Sequence, residues 1–299
     1  MGRADSALVS VIIPCYNRER FIAATIESVL NQTWPDIELI VVDDGCTDGS
    51  RGVVESYGDR LTILEHEGCC NKGQSASINL GLKMSHGNYV AILDSDDLFA
   101  SQKLEKQVHF LDSNPEIGLV YANGMSIDAE GRELYPIISG EHQSPVGPES
   151  VLENSPFNLP SNSLVRRSVY DKVGYFDETL RSAQDHDMAI RIAEVTRIGY
   201  LNESLWFYRR HDGSISHTKI KERWRNGFRI LEAACKRYPY PKKIRNRRLA
   251  VLNFRLGQCY LEEKNYIQAA LHLLKAGLLD PWRSLAVIMR RESISSPRC

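Results

Sequence analysis

Through the first third of the chain, short β-branched runs alternate with segments whose apolar positions recur every three or four residues. Val9-Ser-Val-Ile-Ile (9–13), Ile37-Glu-Leu-Ile-Val-Val (37–42) and Tyr89 to Leu93 predict short strands buried on both faces. Phe21, Ile22, Thr25, Ile26, Val29 and Leu30 fall on one helical face. Ala76, Leu80, Leu82 and Met84 predict a second helix, entered through Lys72-Gly73-Gln74-Ser75. The alternation is that of an α/β fold, a parallel sheet with crossover helices.

After about residue 125 the pattern changes. A Pro/Gly/Ser-rich stretch from Pro136 to Pro160 is longer than most ordered loops and reads as a binding lobe or a lid. The pattern then predicts a helix near Gln184 to Val195, a strand from Ile198 to Tyr208, and a polar loop from Arg209 to Thr218. From Ile220 the periodicity is helical throughout. Leu256, Gly257, Tyr260, Ala269, Leu273, Ala276 and Pro281 match the spacing of one tetratricopeptide-like hairpin, which cannot bury its own face and must pack on a neighbour.

Composition narrows the class. With 299 residues and 42% hydrophobic content there is core material for one large domain or about two. No apolar run nears the roughly 18 residues of a membrane span, and no signal-like segment opens the chain, so the expectation is a cytoplasmic protein. Seven cysteines without a Cys-x-x-Cys spacing argue against a disulfide framework or a zinc site. The net charge of −1 hides an asymmetry. Residues 219–299 hold 19 Lys and Arg against 6 Asp and Glu, a net of +13, while residues 1–218 carry −14. The division expected is therefore an acidic domain over 1–218 and a basic helical extension over 219–299. Basic residues from Arg223 to Arg248, with Trp282, Leu285, Val287, Ile288 and Met289 flanked by Arg283, Arg290 and Arg291, fit an anionic membrane surface at the inner face of the plasma membrane.

Carboxylates follow the predicted strands. Asp43 and Asp44 end one, and Asp94, Asp96 and Asp97 in Leu-Asp-Ser-Asp-Asp end another. Ligands of an open parallel sheet bind beyond the carboxyl ends of its strands, so these side chains should converge on one crevice. Their hard oxygen donors suit Mg²⁺ or Mn²⁺ together with an anion that the cation can bridge.

Val-Ser-Val-Ile-Ile-Pro-Cys-Tyr-Asn, Val-Asp-Asp-Gly-Cys-Thr-Asp-Gly, Asn-Lys-Gly-Gln-Ser-Ala-Ser-Ile-Asn and Leu-Asp-Ser-Asp-Asp occur in that order. Over roughly residues 8–218 the chain thereby resembles the family-2 glycosyltransferases with a GT-A fold: a Rossmann-like, mostly parallel sheet flanked by helices, here followed by an all-helical extension. The resemblance implies inverting transfer of a sugar from a nucleotide-sugar donor, usually a UDP-sugar, to a glycan or lipid-linked acceptor, as in cell-surface polysaccharide synthesis, with no nucleic-acid partner. It places Pro14 and Asn17 at the rim of the nucleotide pocket, Asp43 and Asp44 near the base, Lys72 toward the phosphates and Asp94 in the DxD motif. Asp96 would hold a divalent cation, Mn²⁺ or Mg²⁺, with Asp97 able to share it and His211 able to reach it or the leaving diphosphate. Gln184-Asp185-His186-Asp187 stands where the family carries an acidic motif usually beginning with Glu, and Asp185 would be the general base. Two other classes compete. A nucleotidyltransferase would carry a Gly-rich phosphate loop, which Pro14-Cys15-Tyr16-Asn17 lacks, and a helical-repeat scaffold would need more than one repeat.

Overall fold

The computed structural model describes residues 7–140, 142, 147–153, 160–211 and 220–288, without the side chains of 286–288. His217, Met289, Arg290, Arg291 and parts of the 136–160 and 209–218 stretches lie outside the described residues. Two compact units emerge, Met1–Gly147 with Pro156–His211, and Pro148–Ser155 with Asp212–Cys299.

The first unit is built on a mixed sheet. Strand β1 (Val9–Cys15) is buried along its whole length and pairs in parallel with β2 (Ile37–Asp43) and β4 (Tyr89–Ile92), and β3 (Thr62–Glu65) extends the parallel part beside β2. Continuous Val and Ile runs form these strands because helices cover both faces. Helix α1 (Ile22–Leu30) buries Ile22, Thr25, Ile26 and Val29, the face its periodicity marks, and α3 (Gln74–Met84) packs on β1. Helix α2 (Ser50–Glu55) and a 3-10 turn at Gly58–Arg60 carry the chain from β2 to β3.

The other half of the sheet is not of the simple crossover kind. β5 (Leu98–Phe99), α4 (Lys103–Ser113), β6 (Ile117–Ile127), β7 (Glu133–Pro136), β8 (Ser163–Arg166), α6 (Arg167–Val173), α7 (Gln184–Val195) and β9 (Arg197–Arg209) follow. The spatial order is β3-β2-β1-β4-β8-β6-β9-β5, with β7 also on β6. β8 runs antiparallel to β4 and to β6, whereas β9 runs parallel to β6. The core lies where β1, β2 and β4 meet α1 and α4, around Ile13, Ile26, Val41, Leu93, Leu104 and Leu111.

The second unit is helical: α5 (Pro148–Glu153), α8 (Ile220–Arg237), α9 (Lys242–Glu262), α10 (Tyr266–Leu279) and α11 (Pro281–Ile288). α9 and α10 form a hairpin in which Leu256, Ala269 and Ala276 are buried and Leu273 lies over Gly257, so the repeat-like positions serve packing. Part of the basic cluster is tied down. Arg248 is buried and donates to the Glu153 carbonyl at 3.3 Å, and Arg247 pairs with the Glu153 carboxylate at 3.5 Å. Among the described residues no helix is long and apolar enough to cross a membrane.

Candidate active site

Because β1, β2 and β4 are parallel, their carboxyl ends open on the same edge of the sheet, and the predicted residues gather there. Pro14 is buried within β1 opposite Val42. Past the end of β1 the chain turns through Asn17, held at φ 51°, a conformation Asn tolerates better than most residues. Its side chain grips the next strand's loop: Oδ1 accepts from the Thr47 N–H at 2.8 Å and Nδ2 donates to Thr47 Oγ1 at 3.1 Å.

Asp43 and Asp44 both shape the walls of this crevice. Asp43 Oδ1 accepts from the Cys46 N–H at 2.8 Å, closing the turn after β2. Gly45, at φ 76°, lets that turn pass under the backbone of 69–71, where a Cβ would come within 2.8 Å of the Asn71 nitrogen. The Asp44 carboxylate is almost fully buried and accepts from the backbone N–H groups of Lys72 at 2.7 Å and Gly73 at 3.0 Å. It thereby sets the entry of α3. The Lys72 residue is exposed, and its carbonyl accepts from Arg181 at 2.7 Å.

Asp94, Asp96 and Asp97 end β4 and take three different environments. The Asp94 N–H donates to Ser161 Oγ at 3.1 Å, and its Oδ1 accepts from Gln74 Nε2 at 2.6 Å. Gln74 Oε1 in turn accepts from Gln184 Nε2 at 2.7 Å, so an amide chain ties Asp94 to the start of α7. Burial, with the negative charges of Asp96 and Asp185 nearby, pushes the Asp94 carboxyl up to about 7. Asp96 goes the other way. Burial opposes its charge, but one oxygen, Oδ2, accepts from both His211 Nε2 and Arg18 Nε at 3.0 Å, and these partners hold it below the usual carboxylate range. Asp97 is 1% exposed, and its oxygens accept from Trp206 Nε1 at 2.9 Å and the Arg209 N–H at 3.0 Å. The expected share of Asp97 in metal ligation therefore finds its carboxylate already committed to anchoring β9. Burial first, then Asp96 and Asp94, drive its carboxyl well above the usual range.

Asp185 sits partly buried in the first turn of α7, close enough for its charge to raise Asp94. The residue before the helix, Ala183, lies at φ 64°, a left-handed conformation that costs a non-glycine residue about 1 kcal/mol and sets the angle at which Asp185 enters. Asp187 is instead structural, paired at 2.9 Å with Arg191 on the next turn. His211, 9% exposed in its side chain, packs on Phe21 at 4.7 Å between ring centroids.

Arg18, Gln74, Ser161 and Arg209 complete the cluster and were not singled out by sequence. Arg18 directly follows Asn17, and Gln74 stands inside the Asn-Lys-Gly-Gln motif, so adjacency was the available signal. Ser161 had none. Its neighbours are fixed from beneath by Lys103, fully buried, whose Nζ donates to the Ser163 carbonyl at 3.2 Å and to Gln107 Oε1 at 2.7 Å, and burial holds its ammonium well below the usual range. Gln107 Nε2 donates to the Asn162 carbonyl at 3.0 Å.

The donor set fits a divalent cation. Among the described residues no three His, Cys, Asp or Glu side chains already converge as a closed cage. Asp94 and Asp96 instead offer the few carboxylate oxygens that Mg²⁺ or Mn²⁺ takes when phosphate oxygens supply the rest, with the His211 imidazole beside them.

Comparison with known proteins agrees with this geometry. The model of glycosyl transferase family 2 matches residues 10–174. An uncharacterized glycosyltransferase of Rickettsia typhi is 31% identical over 225 residues, covering 73% of this chain and 68% of the relative. Among solved structures, S. aureus TarS 1–349 in complex with UDP-GlcNAc superposes with a TM-score of 0.68 at 22% identity, over 94% of this chain and 83% of that one. A mannosyltransferase from Pyrobaculum calidifontis in complex with GDP-Man and Mn²⁺ gives 0.64 at 20% identity, over 96% and 80%. The structural likenesses show a shared GT-A fold. With the family model spanning more than half its length and the motif carboxylates gathered at one sheet edge, the chain belongs to glycosyl transferase family 2.

Proposed function

We propose that the protein transfers a sugar from a UDP-sugar to a hydroxyl of a glycan or lipid-linked acceptor, with inversion, at the cytoplasmic face of the plasma membrane during cell-surface polysaccharide synthesis. The observation that carries the reading is the meeting of Asp94, Asp96, Asp185 and His211 at one edge of the sheet. Bound UDP-GlcNAc in TarS, and GDP-Man with Mn²⁺ in the mannosyltransferase, support a nucleotide-sugar and a divalent cation on this fold.

In this reading Pro14 and Asn17 border the base, while Asp43 and Asp44 act by fixing the turn after β2 and the Lys72–Gly73 wall. Lys72 faces the phosphates. Asp94, Asp96 and His211 would hold Mn²⁺ or Mg²⁺, which when bound would supply Lewis-acid stabilisation of the leaving diphosphate. Asp185 accepts the acceptor hydroxyl proton as that oxygen attacks the anomeric carbon. The bond from the anomeric carbon to the diphosphate breaks on the opposite face, its electron pair leaves with UDP, and no covalent enzyme intermediate forms. The amide chain Gln184–Gln74–Asp94 links the base end of α7 to the donor end of β4, so both halves of the site are held by one set of hydrogen bonds.

A screen of nucleotide-sugars by thermal unfolding tests the donor class. A UDP-sugar at 100 times its dissociation constant is expected to add about 2.7 kcal/mol, and only when Mn²⁺ or Mg²⁺ is present. Equal stabilisation in excess EDTA would remove the cation from the reading.

A further inference from the structure

Arg18 is a permanent positive charge resting on the carboxylate that would take the cation. Its Nε donates to Asp96 Oδ2 at 3.0 Å, the same oxygen that pairs with His211 Nε2 at 3.0 Å, while Asp96 Oδ1 accepts no hydrogen bond among the described residues. The contact is a single one, although a guanidinium can offer a carboxylate two parallel N–H groups. Both side chains are 16% exposed, so the pair is open to a ligand on one side.

The backbone of Arg18 is pinned more firmly than its side chain. Its N–H donates to Ser50 Oγ at 2.7 Å, and its carbonyl accepts from the N–H groups of Phe21 at 2.8 Å and Ile22 at 2.9 Å, where α1 begins. Nη1 donates to carbonyls of its own turn, Asn17 at 3.0 Å and Tyr16 at 3.4 Å, and Nη2 has no hydrogen-bond partner among the described residues.

A divalent cation arriving alone meets this guanidinium as a like charge across one carboxylate, and each weakens the hold of the other. His211 can turn from donor to ligand, since an imidazole nitrogen has a lone pair to give. A guanidinium stays charged and gives none. A diphosphate changes the balance, because its oxygens answer both positive charges and its geometry matches the N–H fork of arginine better than one carboxylate oxygen does.

We propose that Arg18 couples the cation to the diphosphate of the donor: it opposes a cation that comes alone, and moves from Asp96 to the diphosphate when the two come together. The proposal rests on the reading of the site as one for a nucleotide diphosphate with Mn²⁺ or Mg²⁺, and names the residue that makes the two bind as a pair.

The test is calorimetric titration of the full chain with Mn²⁺ alone, with Mn²⁺ in the presence of UDP or UMP, and with UDP in EDTA, for the wild type, Arg18→Gln and Arg18→Lys. Arg18→Gln is expected to bind Mn²⁺ alone at least about fivefold more tightly than the wild type, a gain that loss of a merely structural contact would not give. The factor by which UDP strengthens Mn²⁺ binding is expected to fall at least about tenfold in that variant, whereas UMP separates the two chains much less. Arg18→Lys keeps the charge without the fork, so it is expected to resist Mn²⁺ alone as the wild type does and to recover only part of the coupling. The proposal is overturned if Arg18→Gln binds Mn²⁺ alone no more tightly than the wild type, or if its coupling to UDP is unchanged; with wild-type coupling intact, the reading of the site still stands. UDP binding equally well in EDTA and in Mn²⁺ for every chain overturns that reading and the part of Arg18 with it.

Discussion

Asp94 is held in an environment that disfavours the charged form of its side chain. A carboxyl that ionises near 3.8 in the unfolded chain and at about 7 in the folded one releases its proton earlier when unfolded. The unfolded state then binds fewer protons, so folded stability falls as pH rises from about 4 toward 7 and levels off above. Asp96, held low by His211 and Arg18, gives the opposite slope, at more acidic pH. Asp94→Asn removes the first slope. In EDTA, the melting temperature of the variant relative to the wild type is expected to climb between pH 4.5 and 7.5 and then plateau, and a pH-independent difference would contradict the assigned burial and charge.

At the scale of elements, a buried carboxylate fastens the end of β9 to the turn after β4. Asp97 accepts from the indole of Trp206 and the backbone of Arg209, and Arg209 Nε donates back to the Asp96 carbonyl at 2.8 Å, so the end of β9 and the turn after β4 are clasped together and His211 is delivered to Asp96. Asp97→Ala leaves two buried donors without acceptors and is expected to cost about 3 kcal/mol in urea unfolding, with His211 no longer placed. A loss under about 1 kcal/mol would show that the clasp is dispensable. The clasp also marks the limit of reading by pattern. β1, β2 and β4 were legible as continuous β-branched runs, α1 and α3 by their helical period, and the motif carboxylates because they follow those strands. β6 was not, although its Ile117-Gly-Leu-Val-Tyr-Ala run is as apolar as β1: it pairs with β8 and β9 far along the chain, and no local signal announces antiparallel insertion. The roles of Asp96 and Asp97 were inseparable in sequence for the same reason, since what distinguishes them is Trp206, more than a hundred positions away.

For the whole molecule, the division of charge read from sequence acquires a physical meaning. The acidic unit gathers its carboxylates at the sheet edge, where Arg18 and His211 hydrogen-bond to Asp96. The basic unit leaves an apolar face of α10 exposed. The central claim, that the sheet-edge site transfers sugar with Asp185 as the base, is tested most directly by the rate of UDP release from UDP-sugars in Mn²⁺, with an acceptor present, for the wild type and for Asp185→Asn. Asparagine keeps the shape of the side chain but cannot take the proton. The account predicts a loss on the order of 10² to 10⁴ in turnover with donor affinity unchanged. Turnover within about threefold of wild type at saturating donor and acceptor would contradict it.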